Sequence, residues 1–162
     1  MEKGWSALAI GNWAEAERVL REAIRLDPGH STAEALLGWS LMHQGQGDEA
    51  LQLCLRVLIR EPEHGLARTA VGAICLRKRI TGEAIEHLSR AAKLGGDPRA
   101  TLYAHYWLGV AYLEREMLDD AIDVLRQATA LGPNLAEAWS ELGRALWLKG
   151  HRDDALAAWQ RG

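Results

Sequence analysis

Phenylalanine is missing from this 162-residue chain, cysteine occurs only twice and proline only four times. Two cysteines cannot staple a disulfide scaffold. With so little proline and no Gly/Ser-rich run, there is no linker or low-complexity segment to separate domains. No apolar run approaches the roughly 18 residues of a membrane span, and no signal-peptide pattern opens the chain. Neither sign of charge dominates. The 19 basic and 22 acidic residues leave a formal charge of −3, which speaks against a basic nucleic-acid surface. Strand-like alternation of apolar and polar residues is also absent. What is left is a globular composition, 48% hydrophobic and 25% charged, expected to form one domain with a buried core. Cytoplasmic residence is the matching expectation, with a leader or a neighbouring domain left open.

Glycine and tryptophan stand out among what is present, with 16 and seven residues. A glycine in a helix interior costs about 1 kcal/mol relative to alanine, so sixteen of them in helix-forming sequence need a reason. Their spacing supplies it. Gly4, Gly38 and Gly72 are 34 residues apart, Gly109 follows after 37 and Gly143 after another 34. Ala16, Ala50, Ala84, Ala121 and Ala155 keep the same steps, and Pro28 and Pro62 are also 34 apart. The single slip of three residues falls in Gly95–Ala100, read as a lengthened loop. Self-similarity at such a period marks a repeat architecture.

Each unit contains two amphipathic stretches, about Ser31–Gln44 and Asp48–Arg60 in the second unit. Leu37, Leu41, Leu51, Cys54, Leu55 and Leu58 fall there at helical spacings. The chain therefore reads as ten helices in five antiparallel hairpins. The repeated glycine of each first helix admits a close approach by the alanine of the second. One hairpin cannot bury both of its faces, so the hairpins must stack. The expected units are about 1–30, 31–64, 65–101, 102–135 and 136–162, with the first and last incomplete.

This pattern resembles the tetratricopeptide repeat, a 34-residue helix–turn–helix unit. Its opening Trp-x2-Leu-Gly-x2-Tyr is matched by Trp139–Leu146 and by His105–Tyr112, and its turn by Gly11–Ala16. The resemblance implies an all-α fold, a right-handed α-solenoid with first helices on the concave side and partners bound there. The chain departs from the pattern at Glu34 and Arg68, where a large apolar residue is usual and looser packing of the second and third units is expected. Arg79 and Glu116 replace the inter-helix glycine kept at Gly11, Gly45 and Gly150.

No constellation of catalytic residues emerges. Cys54 and Cys75 sit at core positions and read as reduced core residues, with a disulfide or metal role as the alternatives. His30 and His64 are one turn position repeated, and the other histidines lack ligand spacing, so no metal and no cofactor are expected. Gly45–Ala50 mimics part of a dinucleotide fingerprint but follows a helix, not a strand. Asp119, Asp120, Asp153 and Asp154 open second helices, where negative charge suits the dipole.

The functional expectation rests on the first helices. One beyond the repeated glycine lie Trp5, Trp39, Ala73, Val110 and Arg144. A turn further come Leu8, Met42, His43, Leu76, Arg77, Leu113 and Trp147, a turn earlier Thr69 and Tyr106, and one turn earlier still Tyr103. These should share one exposed, aromatic concave face. Trp5, Trp39 and Trp147 exceed what the repeat demands, whereas Trp13, Trp139 and Trp159 are expected core. Such a patch suits an apolar or amphipathic peptide or helix. Partner side chains would bury against Trp39, Met42, Leu76, Tyr106 and Leu113, with Arg77 and Arg144 setting orientation. The Lys/Asn clamp for C-terminal carboxylates that the resemblance would supply is absent. The expected role is a non-enzymatic interaction scaffold for a protein or peptide, without nucleic-acid binding or membrane insertion. Self-assembly through open ends, possible as a homo-oligomer, and service as the arm of a larger enzyme are the alternatives.

Overall fold

The structure, a computed structural model, describes residues 1–162. It contains ten helices and no strand. These are α1 Glu2–Ala9, α2 Trp13–Leu26, α3 Ser31–His43, α4 Gly47–Arg60, α5 Gly65–Arg77, α6 Thr81–Leu94, α7 Pro98–Glu114, α8 Leu118–Leu131, α9 Ala136–Lys149 and α10 Arg152–Arg161. Each helix packs on the next, and the odd-numbered helices also pack on one another, α1 on α3, α3 on α5, α5 on α7 and α7 on α9. The even-numbered helices make no backbone contact among themselves. The result is an α-solenoid with a continuous inner row and a separated outer row. No helix is long and apolar enough to cross a membrane.

The repeated small residues explain the close pairing. A methyl group on Gly38 would lie 2.5 Å from the Cys54 sulfur, and one on Gly72 2.5 Å from Leu88 Cγ. Gly109 and Gly143 are pressed in the same way by Leu125 and Trp159. The facing Ala50, Ala84, Ala121 and Ala155 are fully buried. In α3 every residue from Ala33 to Met42 is buried, as is every residue of α5 from Leu66 to Leu76. Helices hydrophobic around their whole circumference are core helices, so α3 and α5 form the centre of the molecule. A main core runs from α1 to α7, and a smaller one joins the end of α7 to α8–α10.

Local chemistry sets the helix ends. Asn12 and Asp97 cap α2 and α7, their side chains accepting from the amides of Glu15 and Arg99. His30 and His64 do the same for α3 and α5, each Nδ1 accepting from the amide three residues on at 3.2 Å. Arg79 and Glu116 adopt the left-handed conformation, with φ of 64° and 57°, in the turns where Gly11, Gly45 and Gly150 do so without strain.

Two expectations need correction. The three-residue slip does not lengthen a loop. The α6–α7 connection is Gly95–Asp97, and the insertion extends the N-terminus of α7, which has 17 residues against 13 in α3 and α5. Asp97 as N-cap and Pro98 at the first helical position make that extra turn. Nor do Glu34 and Arg68 loosen their units. Both are buried, Glu34 held by Arg60 and Arg68 donating to the Pro62 carbonyl and facing His87 at 3.4 Å.

Cys54 and Cys75 are free, buried thiols. Burial, with Glu34 nearby, pushes the Cys54 thiol up to about 12.

Candidate functional site

The inner row of helices encloses a cavity of about 790 Å³ between α1, the C-terminal half of α3, the N-terminal half of α7 and the start of α9. Six aromatic rings face it, from Trp5, Trp13, Trp39, Tyr103, Tyr106 and Trp107. Trp13, Trp39 and Tyr103 are joined in one series through His43, and Tyr106 and Trp107 form a second contact. Trp13 stacks on His43 at 4.2 Å and 6°. Trp39 leans on His43 at 5.8 Å and on Tyr103 at 5.2 Å. Tyr106 meets Trp107 edge-on at 5.1 Å. Such tilted and stacked contacts contribute roughly 0.5–1.5 kcal/mol per pair beyond area burial.

The extra turn of α7 completes the wall. It carries Arg99, whose guanidinium lies 4.0 Å over the Trp5 ring and bridges α7 to α1. Leu102, one turn further, lines the cavity and fills the space above Gly132. Glu2, Asn134 and Glu137 bring polar groups to the same cavity. The Trp107 indole N–H and His105 Nδ1 are buried without a hydrogen-bond partner.

The surroundings shift several titrations. Burial, with Arg77 adding to it, lowers His43 to about 4, so its ring is neutral near pH 7. Burial, together with Glu141 and Glu137, pushes the Tyr106 phenol up to about 12. Tyr103 is raised for the same reasons, burial first and then Glu137.

Of the residues expected on the concave face, Trp5, Leu8, Trp39, His43, Tyr103 and Tyr106 come together around this cavity. Their exposure is far lower than expected, with Trp5 at 9% and Trp39 at 4%. The aromatic row is a packed wall rather than an open stripe, with Trp5 covered by Arg99 and Trp39 held against His43 and Tyr103. Met42, Thr69, Ala73, Leu76 and Leu113 are fully buried between helices and cannot touch a partner. Val110 is half-buried and lies outside the cavity. Arg77 donates to the Met42 carbonyl at 2.8 Å and sits 5.9 Å from the Trp107 ring. Arg144 pairs with Glu141 at 3.1 Å, and Trp147 packs on Trp159 at 5.7 Å, away from the cavity.

Helical periodicity missed Trp13, Arg99, Leu102, Trp107, Leu135 and Glu137. Trp13 opens a second helix, and Arg99 and Leu102 reach the site only because the insertion became helix. The slip in the period was the one signal that marked this region as different.

The hairpin geometry, the glycine–alanine approach and the 34-residue steps agree with family models. Residues 1–63 match a tetratricopeptide repeat model, and residues 111–150 match a second model of the same repeat. The chain is a tetratricopeptide repeat protein. The human protein O-mannosyl-transferase TMTC1 is 26% identical over 152 residues, 93% of this chain. The small glutamine-rich tetratricopeptide repeat-containing protein 2 of Mycosarcoma maydis is 33% identical over 81 residues, half of this chain. The chain spans only 17% and 15% of the human and mouse transferases and 22% of the fungal protein. Among solved structures, MamA superposes with a TM-score of 0.68 at 23% identity, covering 99% of this chain and 92% of its own. PilF of Pseudomonas aeruginosa gives 0.77 at 19% identity, covering 98% and 71%. At these identities the two structures speak for the fold. Tetratricopeptide repeats are typical protein-interaction scaffolds and generally not enzymes.

Proposed function

We propose that this repeat protein is a non-enzymatic scaffold that holds an apolar or amphipathic segment of a protein partner in its concave cavity. The observation that carries this is the cavity itself. Six aromatic rings from four helices surround about 790 Å³ of space, a volume ordinary for a ligand site. Aromatic side chains at that density supply large apolar contact at low entropy cost and are typical anchors of binding surfaces. Leu8, Leu102 and Leu135 add apolar wall between them.

The test is site-directed cross-linking. A benzophenone amino acid replacing Tyr106 lies at the cavity, whereas one replacing Ile59, 80% exposed on the outer row, does not. Adducts with a protein partner are expected from position 106 and not from 59. Adducts from 59 alone would move the site to the convex side.

A second reading, self-assembly, is favoured by one other surface. Trp147, Leu148, Leu156 and Trp159 are all at least 40% exposed on neighbouring helices α9 and α10. Light scattering across a concentration series decides it, since a strict monomer removes this reading. The third, an arm within a larger enzyme, is supported by the likeness to a stretch of the O-mannosyl-transferase. Its check is the sequence of the native chain on either side.

A further inference from the structure

The cavity has an electrostatic character that periodicity did not reveal. Two exposed carboxylates, Glu2 from α1 and Glu137 from α9, line it. Glu141, one turn on from Glu137, is held by Arg144 at 3.1 Å, but neither Glu2 nor Glu137 takes part in any of the ion pairs of the structure. The faces of aromatic rings carry negative potential and attract cations. A wall of such rings rimmed by unpaired carboxylates therefore complements positive charge.

One cation already sits there. The Arg99 guanidinium lies 4.0 Å over Trp5, and its own carboxylate partner is Asp97 at 3.3 Å, outside the cavity. The protein thus shows, with its own side chain, what chemistry the Trp5 face accepts. Arg77, 5.9 Å from the Trp107 ring, points its N–H at the Met42 carbonyl. Neither arginine neutralises Glu2 or Glu137.

We propose that the segment bound in this cavity is anchored by an arginine or lysine side chain. Its methylene stem lies along the Tyr103 and Tyr106 wall and its charged head at Glu2 and Glu137. The proposal rests on the reading of the cavity as the partner site. A long basic side chain suits both halves of the site, since its stem is apolar and only its tip is charged. An acidic segment would meet two unpaired carboxylates, and a purely apolar one would leave them without a partner.

Three acetylated, amidated pentapeptides test it, Ala-Leu-Xaa-Leu-Ala with Xaa as arginine, norleucine or glutamate. Binding is followed by NMR through the indole N–H signals of Trp5, Trp39 and Trp107 in the intact 162-residue chain. The arginine peptide is expected to bind about fivefold more tightly than the norleucine peptide, on the scale of an exposed cation–aromatic contact. The glutamate peptide is expected to bind most weakly. In Glu2→Gln/Glu137→Gln the arginine preference shrinks below about twofold while norleucine binding holds. Equal affinity for arginine and norleucine peptides, or a preference that survives the double amide variant, overturns the cationic anchor and leaves the cavity reading standing. Silence of all three indole signals toward every peptide overturns the cavity reading and the anchor together. Circular dichroism of each variant confirms the helical fold before binding is read.

Discussion

Arg79 and Glu116 are the two residues whose backbone works against them. Each sits in the left-handed region, at φ of 64° and 57°, where a side chain costs roughly 1–2 kcal/mol. Glycine occupies the equivalent turn elsewhere in the chain. Arg79→Gly and Glu116→Gly should each stabilise the protein by about 0.5–1 kcal/mol, after the added freedom of glycine in the unfolded chain is subtracted. The ion pair of Arg79 with Glu114, 3.1 Å long and largely exposed on the arginine side, offsets little of this. Urea midpoints at constant m-value check it, and a lower midpoint for both variants would contradict the argument. Gly109→Ala should have the opposite effect. Its new methyl group would collide with Leu125, and overpacking of this kind costs about 1–3 kcal/mol.

His43 gives the residue scale a pH dependence. Its folded-state value is lowered to about 4 by burial and by Arg77, below the value of about 6.5 in an unfolded chain. The unfolded chain therefore takes up the proton first as pH falls. The contribution of a neutral His43 is complete above pH 6.5 and is lost progressively toward pH 4. By pH 5 this should amount to roughly 1–2 kcal/mol. Urea melts at pH 7 and pH 5 should show the loss, and His43→Gln should reduce it. His64, His87 and His105, each lowered chiefly by burial, add to the slope with the same sign.

At the scale of elements, repetition was the readable part. The five glycine–alanine pairs, the ten helices and the hairpin pairing follow from spacing alone, because the same steric demand recurs at each hairpin. The lining of the cavity was legible by halves. Trp5, Trp39, Tyr103 and Tyr106 were found because they share one helical face. Met42, Thr69, Ala73 and Leu76 share that face too, but the inner helices approach so closely at α3 and α5 that their side chains are sealed. Periodicity says which way a side chain points, not how near the next helix stands. The insertion before α7 was visible as a slip and misread as loop, since Asp97–Pro98 starts a helix as readily as it makes a turn. Arg99 and Leu102 went unnoticed for that reason.

Stability should vary along the same lines. Backbone amides of α3 and α5, enclosed on every side, should exchange hydrogen most slowly, and those of α10, with only Ala155 and Ala158 buried, among the fastest. Exchange measured by mass spectrometry on peptic fragments resolves this, and uniform protection from α3 to α10 would refute it. Arg99→Ala should accelerate exchange in α1, because the contact over Trp5 is one of the few that tie this eight-residue helix to α7.

At the scale of the whole molecule, the tetratricopeptide repeats are stacked so that one wall is bonded and the other is not. The inner helices touch in an unbroken row, whereas the outer helices have no backbone contact with one another and are linked only by the exposed Arg21–Glu49 ion pair between α2 and α4. Mechanically this is a leaf spring fixed along one leaf. Bending the solenoid can widen or narrow the gaps between outer helices without parting a packed inner interface, so that is the soft mode of the structure. A segment held between α1 and α9 would draw the two together, and the strain would fall on the far side, in the gaps between α2, α4, α6 and α8, where the side-chain link is the exposed Arg21–Glu49 ion pair.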